Sequence, residues 1–413
     1  MAIDLSALPA DRSWERPGFW PALTAATAEL DPPYAALHLG ALAANAHDML
    51  RRAGGKPIRV ASKSVRVRSV LDAVLALPGY AGVLAYTLDE ALWLAESAPD
   101  VVVGYPSADR AAIRRLGASA ELAARVTVMV DSVAHLDFID AVAPAGDRAE
   151  IRVAIELDAS WEGPTGRIGV WRSPVRTAVA ARTLAVHVAR RPGFRLVGLM
   201  SYEAQIAGQG DAPEGRAAFG ATVRWMQRRS QAELRERRAE AVAAVRQVAE
   251  LEFVNGGGTG SLEFTSGDDS VTEIAAGSGL LGGHLFDNYR LFRPAPAAAF
   301  ALSVVRRPRP DIATVLGGGW IASGPPGEDR LPRAVWPEGL GYAPREAAGE
   351  VQTPLIGPAA SALQVGDRVW FRHTKSGELS EHVTAFALVD DVDGRPRITG
   401  EAPTYRGEGK AFL

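Results

Sequence analysis

Only four lysines, Lys56, Lys63, Lys375 and Lys410, stand among the 45 basic residues of this 413-residue chain; the rest are arginine. A lysine amine can shed its proton when desolvated and act as a nucleophile, which a guanidinium cannot do. Lys56 and Lys410 lie among glycines and polar residues and read as surface positions. Lys63 is different, because it ends the alternating run "IRVAS" and so falls at a strand end. Two glycine-rich stretches form a second constellation, "NGGGTGS" (255–261) and "AGSGLLGG" (276–283). Glycines let backbone N–H groups approach an anion, and Thr259, Ser261 and Ser278 add hydroxyl donors. Neither stretch is a Walker A box, and Gly256-x-Gly258-x-x-Ser261 misses the third glycine of a dinucleotide fingerprint. Each run alone is an ordinary tight turn. The third constellation is His373-Thr374-Lys375, whose outer members would share one face of a strand.

Elements must hold these residues in place. Eight short apolar runs read as strands: 58–62, 82–86, 101–104, 126–130, 151–157, 195–201, 251–255 and 271–275. Alanine-rich amphipathic segments separate nearly all of them, and "AALHLGALAANAHDMLRRAGG" from Ala35 has helical spacing that stops at a glycine pair. Strands alternating with helices predict a parallel (β/α)8 TIM-type barrel, with an open doubly wound sheet as the second choice. The charged segment between the sixth and seventh runs predicts one long or broken, solvent-laced helix. After Asn288 proline and glycine become frequent, and short runs such as "RVWFRH" and "HVTAFALVDD" predict a C-terminal antiparallel β domain. The expected domains are therefore 1–30, packing on the β domain, 31–290, the barrel, and 291–413, the β domain.

Composition excludes several classes. A net charge of −3 and pI near 6.2 leave no electrostatic footprint for nucleic acid or an anionic membrane. With no cysteine there is no disulfide, thiolate zinc site or cysteine nucleophile. The N-terminus lacks the pattern of a signal peptide, and no stretch approaches a membrane span, so a soluble cytoplasmic protein is expected.

In such a barrel the active site lies at the C-terminal strand ends, and phosphate sites are built by the loops after strands seven and eight. The two glycine stretches hold those positions and Lys63 follows the first strand. Together they favour a phosphorylated aldehyde cofactor held on a lysine, pyridoxal phosphate.

The pieces "RVASKS", "GRIGVW", "GLMSYEAQ", "FVNGGGTGS", "EIAAGSGL" and "GDRVWFRHTKSGE" occur in an order that resembles the third fold type of pyridoxal-phosphate enzymes, to which alanine racemase belongs. Within it the chain is more similar to the D-threonine aldolase and D-serine dehydratase branch. "GGGWIASGPPGEDRLPR" and "PTYRGEGKAF" resemble bacterial proteins labelled amino acid deaminase/aldolase. The resemblance implies that Lys63 forms the Schiff base, that Arg167 lies near the cofactor's phenolic oxygen, and that Tyr202 packs near its pyridine nitrogen. The phosphate falls to Gly258, Thr259, Gly260, Gly277 and Ser278. Relatives carry His-x-Asp or His-x-Cys at the position of His373 and Lys375, as two ligands of a divalent metal. An ammonium has no lone pair for a metal, so no metal is expected here, and His373 and Lys375 are assigned to catalysis. The resemblance further implies a small-molecule amino acid substrate and a homodimer with shared active sites. The expected function is a lyase acting on a β-hydroxy, D-configured amino acid by retro-aldol cleavage or dehydration. The alternatives are an amino acid racemase and a non-catalytic pyridoxal-phosphate-binding protein.

Overall fold

Runs of β-branched residues close on themselves in the computed structural model, which describes residues 3–9, 11–164, 166–375 and 377–413. Strand β1 spans Tyr34–His38. Then come β2 (Ile58–Ala61), β3 (Tyr80–Ala85), β4 (Val101–Val103), β5 (Val126–Val130) and β6 (Ile151–Glu156). A hairpin of β7 (Trp161–Gly163) and β8 (Gly166–Ile168) precedes β9 (Phe194–Ser201), β10 (Phe253–Gly256) and β11 (Glu273–Ala276). Strands β2–β6 and β9–β11 pair in parallel, and β11 returns to β2, closing an eight-stranded barrel. Each expected apolar run supplies one of its strands.

Both faces of these strands are covered, which is why they read as continuous valine, isoleucine and alanine rather than alternating. Val102, Met129, Ala154, Val197, Met200 and Phe253 form one buried cluster, each large side chain contributing about 1.5–3 kcal/mol of transfer free energy. A Cβ at Gly198 would lie 2.2 Å from the Phe253 ring, so glycine makes room for that ring. Arg59 lies over the same ring at 5.3 Å and is held through Nε and Nη2 by Glu273 (2.7 and 2.9 Å) and Asp100 (2.8 Å), so this buried guanidinium is paired with two carboxylates. The surrounding helices start where side chains can cap them: Thr87, Asp109, Ser119 and Thr177 each accept backbone N–H groups of the first turn. The charged segment is a single helix, Ala217–Arg246, and it is less solvated than its charge suggests, since Leu234, Arg238, Val242 and Val245 are buried.

The chain divides into two compact units. One comprises Met49–Ser62, Pro78–Gly277 and Phe412–Leu413 and contains the barrel strands; the other comprises Met1–Asp48, Lys63–Leu77 and Ser278–Ala411. The second unit holds β1 and eight later strands: β12 (Ala298–Arg309), β13 (Ile312–Leu316), β14 (Arg333–Trp336), β15 (Gly341–Tyr342), β16 (Gln352–Ile356), β17 (Arg368–Arg372), β18 (Ala385–Val392) and β19 (Arg395–Pro403). They form one nine-stranded sheet in the order β15-β16-β13-β12-β1-β18-β19, with β17 pairing to β12 and β14. Every pair is antiparallel except β1 with β18.

The helical reading from Ala35 therefore needs correction. Residues 34–38 are a strand, and the helix runs Leu39–Arg52. Alanine and leucine carry no local β preference; flanking by β12 and β18 decides the conformation. Residues 34–38 also join this sheet rather than the barrel, although the expected barrel begins at residue 31. The early segment packs on the sheet: Trp20 meets Trp370 at 6.1 Å, the Trp370 indole donates to Thr24 Oγ1 at 2.9 Å, and Arg368 donates to the Thr27 carbonyl at 2.7 Å. Phe300 stacks on Phe371 at 5.3 Å and meets Trp320 at 4.3 Å in the sheet's aromatic core.

Candidate active site

In the unit that contains it, Lys63 lies in a short 3-10 turn, Ser62–Ser64, directly after β2. The next residue, Ser64, shares a hydrogen bond with Ser278 between hydroxyls at 2.9 Å, so the turn after the first barrel strand is tied to the residue that begins the helix after the last one. The segment past β17 reaches the same turn. A Cβ at Gly377 would lie 2.3 Å from the Lys63 carbonyl, and Ser380 donates to the Val65 carbonyl at 2.7 Å. Lys63, Ser64 and Ser278 are thus brought together with the segment that carries His373 and Lys375.

His373 and Lys375 do not share a strand face. β17 ends at Arg372, and both residues lie in the irregular segment beyond it. His373 is buried, and its carbonyl accepts the His284 N–H at 3.0 Å. Neither ring nitrogen has a partner of hydrogen-bond geometry among the described residues. Burial holds His373 below the usual histidine range, with Glu378 and the Ala298 carbonyl opposing, so the ring is neutral. Lys375 takes another direction: its Nζ donates to the Ser323 hydroxyl at 3.0 Å and carbonyl at 3.2 Å.

In the barrel unit the candidate phosphate loop follows β10. Gly257 has φ of +85°, and a Cβ there would lie 2.6 Å from Ile274 Cγ2. A Cβ at Gly258 would lie 2.9 Å from Ala207 and 3.2 Å from the Tyr202 ring. The backbone at these positions is bare by necessity, which suits close approach of an anion. Thr259 and Gly260 lie in the 3-10 turn Thr259–Ser261 that follows, and Gly277 directly follows β11. The Ser261 hydroxyl is engaged inside the loop: it accepts the Gly258 N–H at 3.1 Å and bonds to Thr265 at 3.2 Å.

Beneath this loop lies a group that the sequence reading missed. Glu203 accepts from the Gly257 N–H, the Thr265 hydroxyl (2.6 Å) and Arg238 (2.9 Å), and Arg238 also bonds to Asp268 at 2.8 Å. All three charged side chains are fully buried. The signal was a carboxylate two residues after a buried strand in "MSYE", and one arginine among many on the long helix.

Tyr202 follows β9, and burial pushes its phenol up to about 12, so it is a neutral hydrogen-bonding group. Arg167, on β8, is bound to Asp158 at 2.9 Å and Ser160 at 2.6 Å. Burial alone would raise Asp158, but hydrogen bonds from Ser160 and Arg167 leave it below the usual carboxylate range. Glu156, at the end of β6, is buried and pushed up to about 7 by desolvation, against the attraction of Arg172 and helped by Asp131 and Asp158. Among the described residues no group of three or more histidine or carboxylate side chains is placed to hold a metal ion.

A closed parallel barrel with bare backbone and buried polar groups after its strands is the architecture of an α/β-barrel protein whose site lies at the C-terminal strand ends. Residues 37–283 match the alanine racemase N-terminal domain, and the chain belongs to that family. It is 30% identical over 238 residues to 3-hydroxy-D-aspartate aldolase of Paracoccus denitrificans, a match covering 57% of this chain and 54% of that protein. The chain thus spans about half the length of the curated relatives it matches. Among solved structures, D-threonine aldolase from Filomicrobium marinum is similar with a TM-score of 0.74, covering 92% of this chain and 96% of that one at 22% identity. D-threo-3-hydroxyaspartate dehydratase from Delftia sp. HT23 is similar with a TM-score of 0.65, covering 91% and 97% at 20% identity. At these identities the structural likeness establishes the fold.

Proposed function

We propose that the protein is a pyridoxal-phosphate-dependent lyase acting on a D-configured β-hydroxy amino acid. The observation that carries this reading is the 30% identity to a 3-hydroxy-D-aspartate aldolase over 238 residues. The residues present fit the cofactor. Lys63 offers the only amine on the turn after β2, Ser64 and Ser278 offer paired hydroxyls, and the loop after β10 has no side chain where a Cβ would clash. The phenol of Tyr202 stays protonated, which suits a neutral partner for a pyridine nitrogen.

In this assignment, which the resemblance implies, Lys63 would hold the cofactor's aldehyde, and Arg167 and Tyr202 would serve its phenolic oxygen and ring nitrogen. Gly258, Thr259, Gly260, Gly277 and Ser278 would hold its phosphate. When bound, pyridoxal phosphate supplies an electron sink for negative charge left at the substrate Cα. His373 and Lys375 then act at the β-oxygen. A neutral His373 can take the β-hydroxyl proton as the Cα–Cβ bond breaks, the electron pair staying at Cα while Cβ becomes a carbonyl. In the dehydration variant, a base takes the Cα proton and a protonated group gives one to the departing β-hydroxyl. Lys375, an ammonium, is suited to stabilise charge on that oxygen.

Holoprotein incubated with D- and L-threonine, serine and 3-hydroxyaspartate tests this reading. Release of an aldehyde marks the aldolase, and release of a keto acid with ammonia marks the dehydratase. Inversion without either product would make the protein a racemase. We also propose a cytoplasmic homodimer in which each subunit completes the other's site; an active species of monomer mass in light scattering would contradict the dimer.

A further inference from the structure

Several arginines of the barrel unit are matched by carboxylate: Arg59 by Glu273, Arg152 by Glu252, Arg167 by Asp158, Arg238 by Glu203. Arg172 is not. It is exposed, and it has no hydrogen bond or ion pair among the described residues. Two rings hold it instead: its guanidinium lies 5.1 Å from the centre of Tyr105 and 5.4 Å from that of Tyr202. Tyr105 follows β4, and Tyr202 follows β9 and packs against the loop glycine Gly258, so the three side chains lie where the C-terminal ends of the barrel strands open. Two aromatic faces fix the guanidinium by cation–π attraction while leaving its planar N–H edge unused. That edge matches a carboxylate in the two-point geometry only arginine offers. Glu156 attracts Arg172 but is pushed up to about 7, so it does not fully cancel the charge near neutral pH.

Resting on the lyase reading above, we infer that Arg172 binds the distal carboxylate of the substrate, which makes the preferred substrate a β-hydroxy dicarboxylic amino acid. Cleavage of the four-carbon member, 3-hydroxyaspartate, breaks the Cα–Cβ bond as a base takes the β-hydroxyl proton, leaves the electron pair at Cα, where a proton is then added, and gives two fragments that each keep one carboxylate: glycine and glyoxylate. Tyr105 and Tyr202 position the guanidinium.

The test compares D-3-hydroxyaspartate with D-threonine, which has a methyl group in place of the distal carboxylate. The wild type should favour the dicarboxylate. In Arg172→Ala the ratio of kcat/KM for the two substrates should fall roughly 10- to 100-fold, the range for losing a hydrogen-bonded charged partner. Arg172→Lys should recover part of that ratio, because charge returns without the two-point geometry. A wild type with no preference for the dicarboxylate would overturn the inference. So would an unchanged ratio in Arg172→Ala, whether both rates fall together, as for a residue that holds the α-carboxylate, or neither does. If no β-hydroxy amino acid is turned over, the lyase reading fails while this inference stays testable by calorimetry with D-malate, a hydroxy dicarboxylate without an amino group. D-malate should bind the wild type and lose at least 10-fold in affinity in Arg172→Ala; no binding to the wild type, or equal binding to both, would overturn it.

Discussion

The Glu203 carboxylate accepts the backbone N–H of Gly257 at 3.0 Å, which fixes the candidate phosphate loop from below by a fully buried charge. The same carboxylate pairs with Arg238, which it shares with Asp268. Glu203→Leu would leave Gly257 without its acceptor and a buried guanidinium half matched. We expect a loss of about 3–5 kcal/mol of folding stability, the usual cost of breaking a buried pair. Glu203→Gln keeps the shape and an acceptor oxygen, and should be milder in urea denaturation while still weakening pyridoxal-phosphate affinity. A Glu203→Leu protein as stable as the wild type would show that the network is not holding the loop.

Lys63→Ala should remove the visible absorption of the holoprotein and abolish turnover. Borohydride treatment of the wild type should fix the cofactor to the peptide that contains Lys63, read by mass spectrometry. Retention of both absorption and turnover in Lys63→Ala would place the cofactor elsewhere.

Turnover should not require a divalent metal. A cation at this position would polarise the substrate oxygen, a Lewis-acid role worth several kcal/mol. Here the second position of the motif is Lys375, whose ammonium brings positive charge without a lone pair and would repel a cation. Exhaustive chelation should leave activity within about twofold on this argument. Activity lost on chelation and restored by manganese or zinc would reverse the assignment.

The contribution of His284 to stability should fall as pH drops from about 6.5 to 4, while Glu156, pushed up to about 7, acts in the opposite direction. Burial pushes His284 down to about 4, offset in part by its hydrogen bond to the Leu331 carbonyl. Since the folded value lies below that of the unfolded chain, the unfolded state takes the proton first. The contribution is complete above pH 6.5 and is lost on acidification through that window; the shift corresponds to about 3 kcal/mol. His38 and His382 are also lowered by burial and act in the same direction. His284→Asn should flatten the slope of urea midpoints against pH between 4 and 6.5 relative to the wild type, and an unchanged slope would remove His284 as a source.

The barrel was legible because its strands are buried on both faces and so carry an apolar run that needs no partner to be recognised. β1 was not, since "YAALH" becomes a strand only between β12 and β18, and nothing local encodes neighbours that distant. The candidate site divides in the same way. Lys63 and the glycine loops stand out by residue type and position after strands. Glu203, Arg238 and Arg172 do not, because their roles depend on what lies opposite: a backbone N–H for Glu203, two carboxylates for Arg238, two rings for Arg172. In a chain with 45 basic residues, no single arginine announces itself.

The central position of β1 bears on how the protein is made. A ribosome releases Tyr34–His38 before any barrel strand, yet both of its partners lie beyond the last one. Throughout synthesis of the barrel, this nascent strand, buried along its whole length in the finished fold, has two unpaired edges. Such edges template mispairing with other chains. Expression of the isolated barrel segment should therefore give more soluble protein when it starts after His38 than when it starts before Tyr34, and the full chain should depend on chaperones until β18 has emerged.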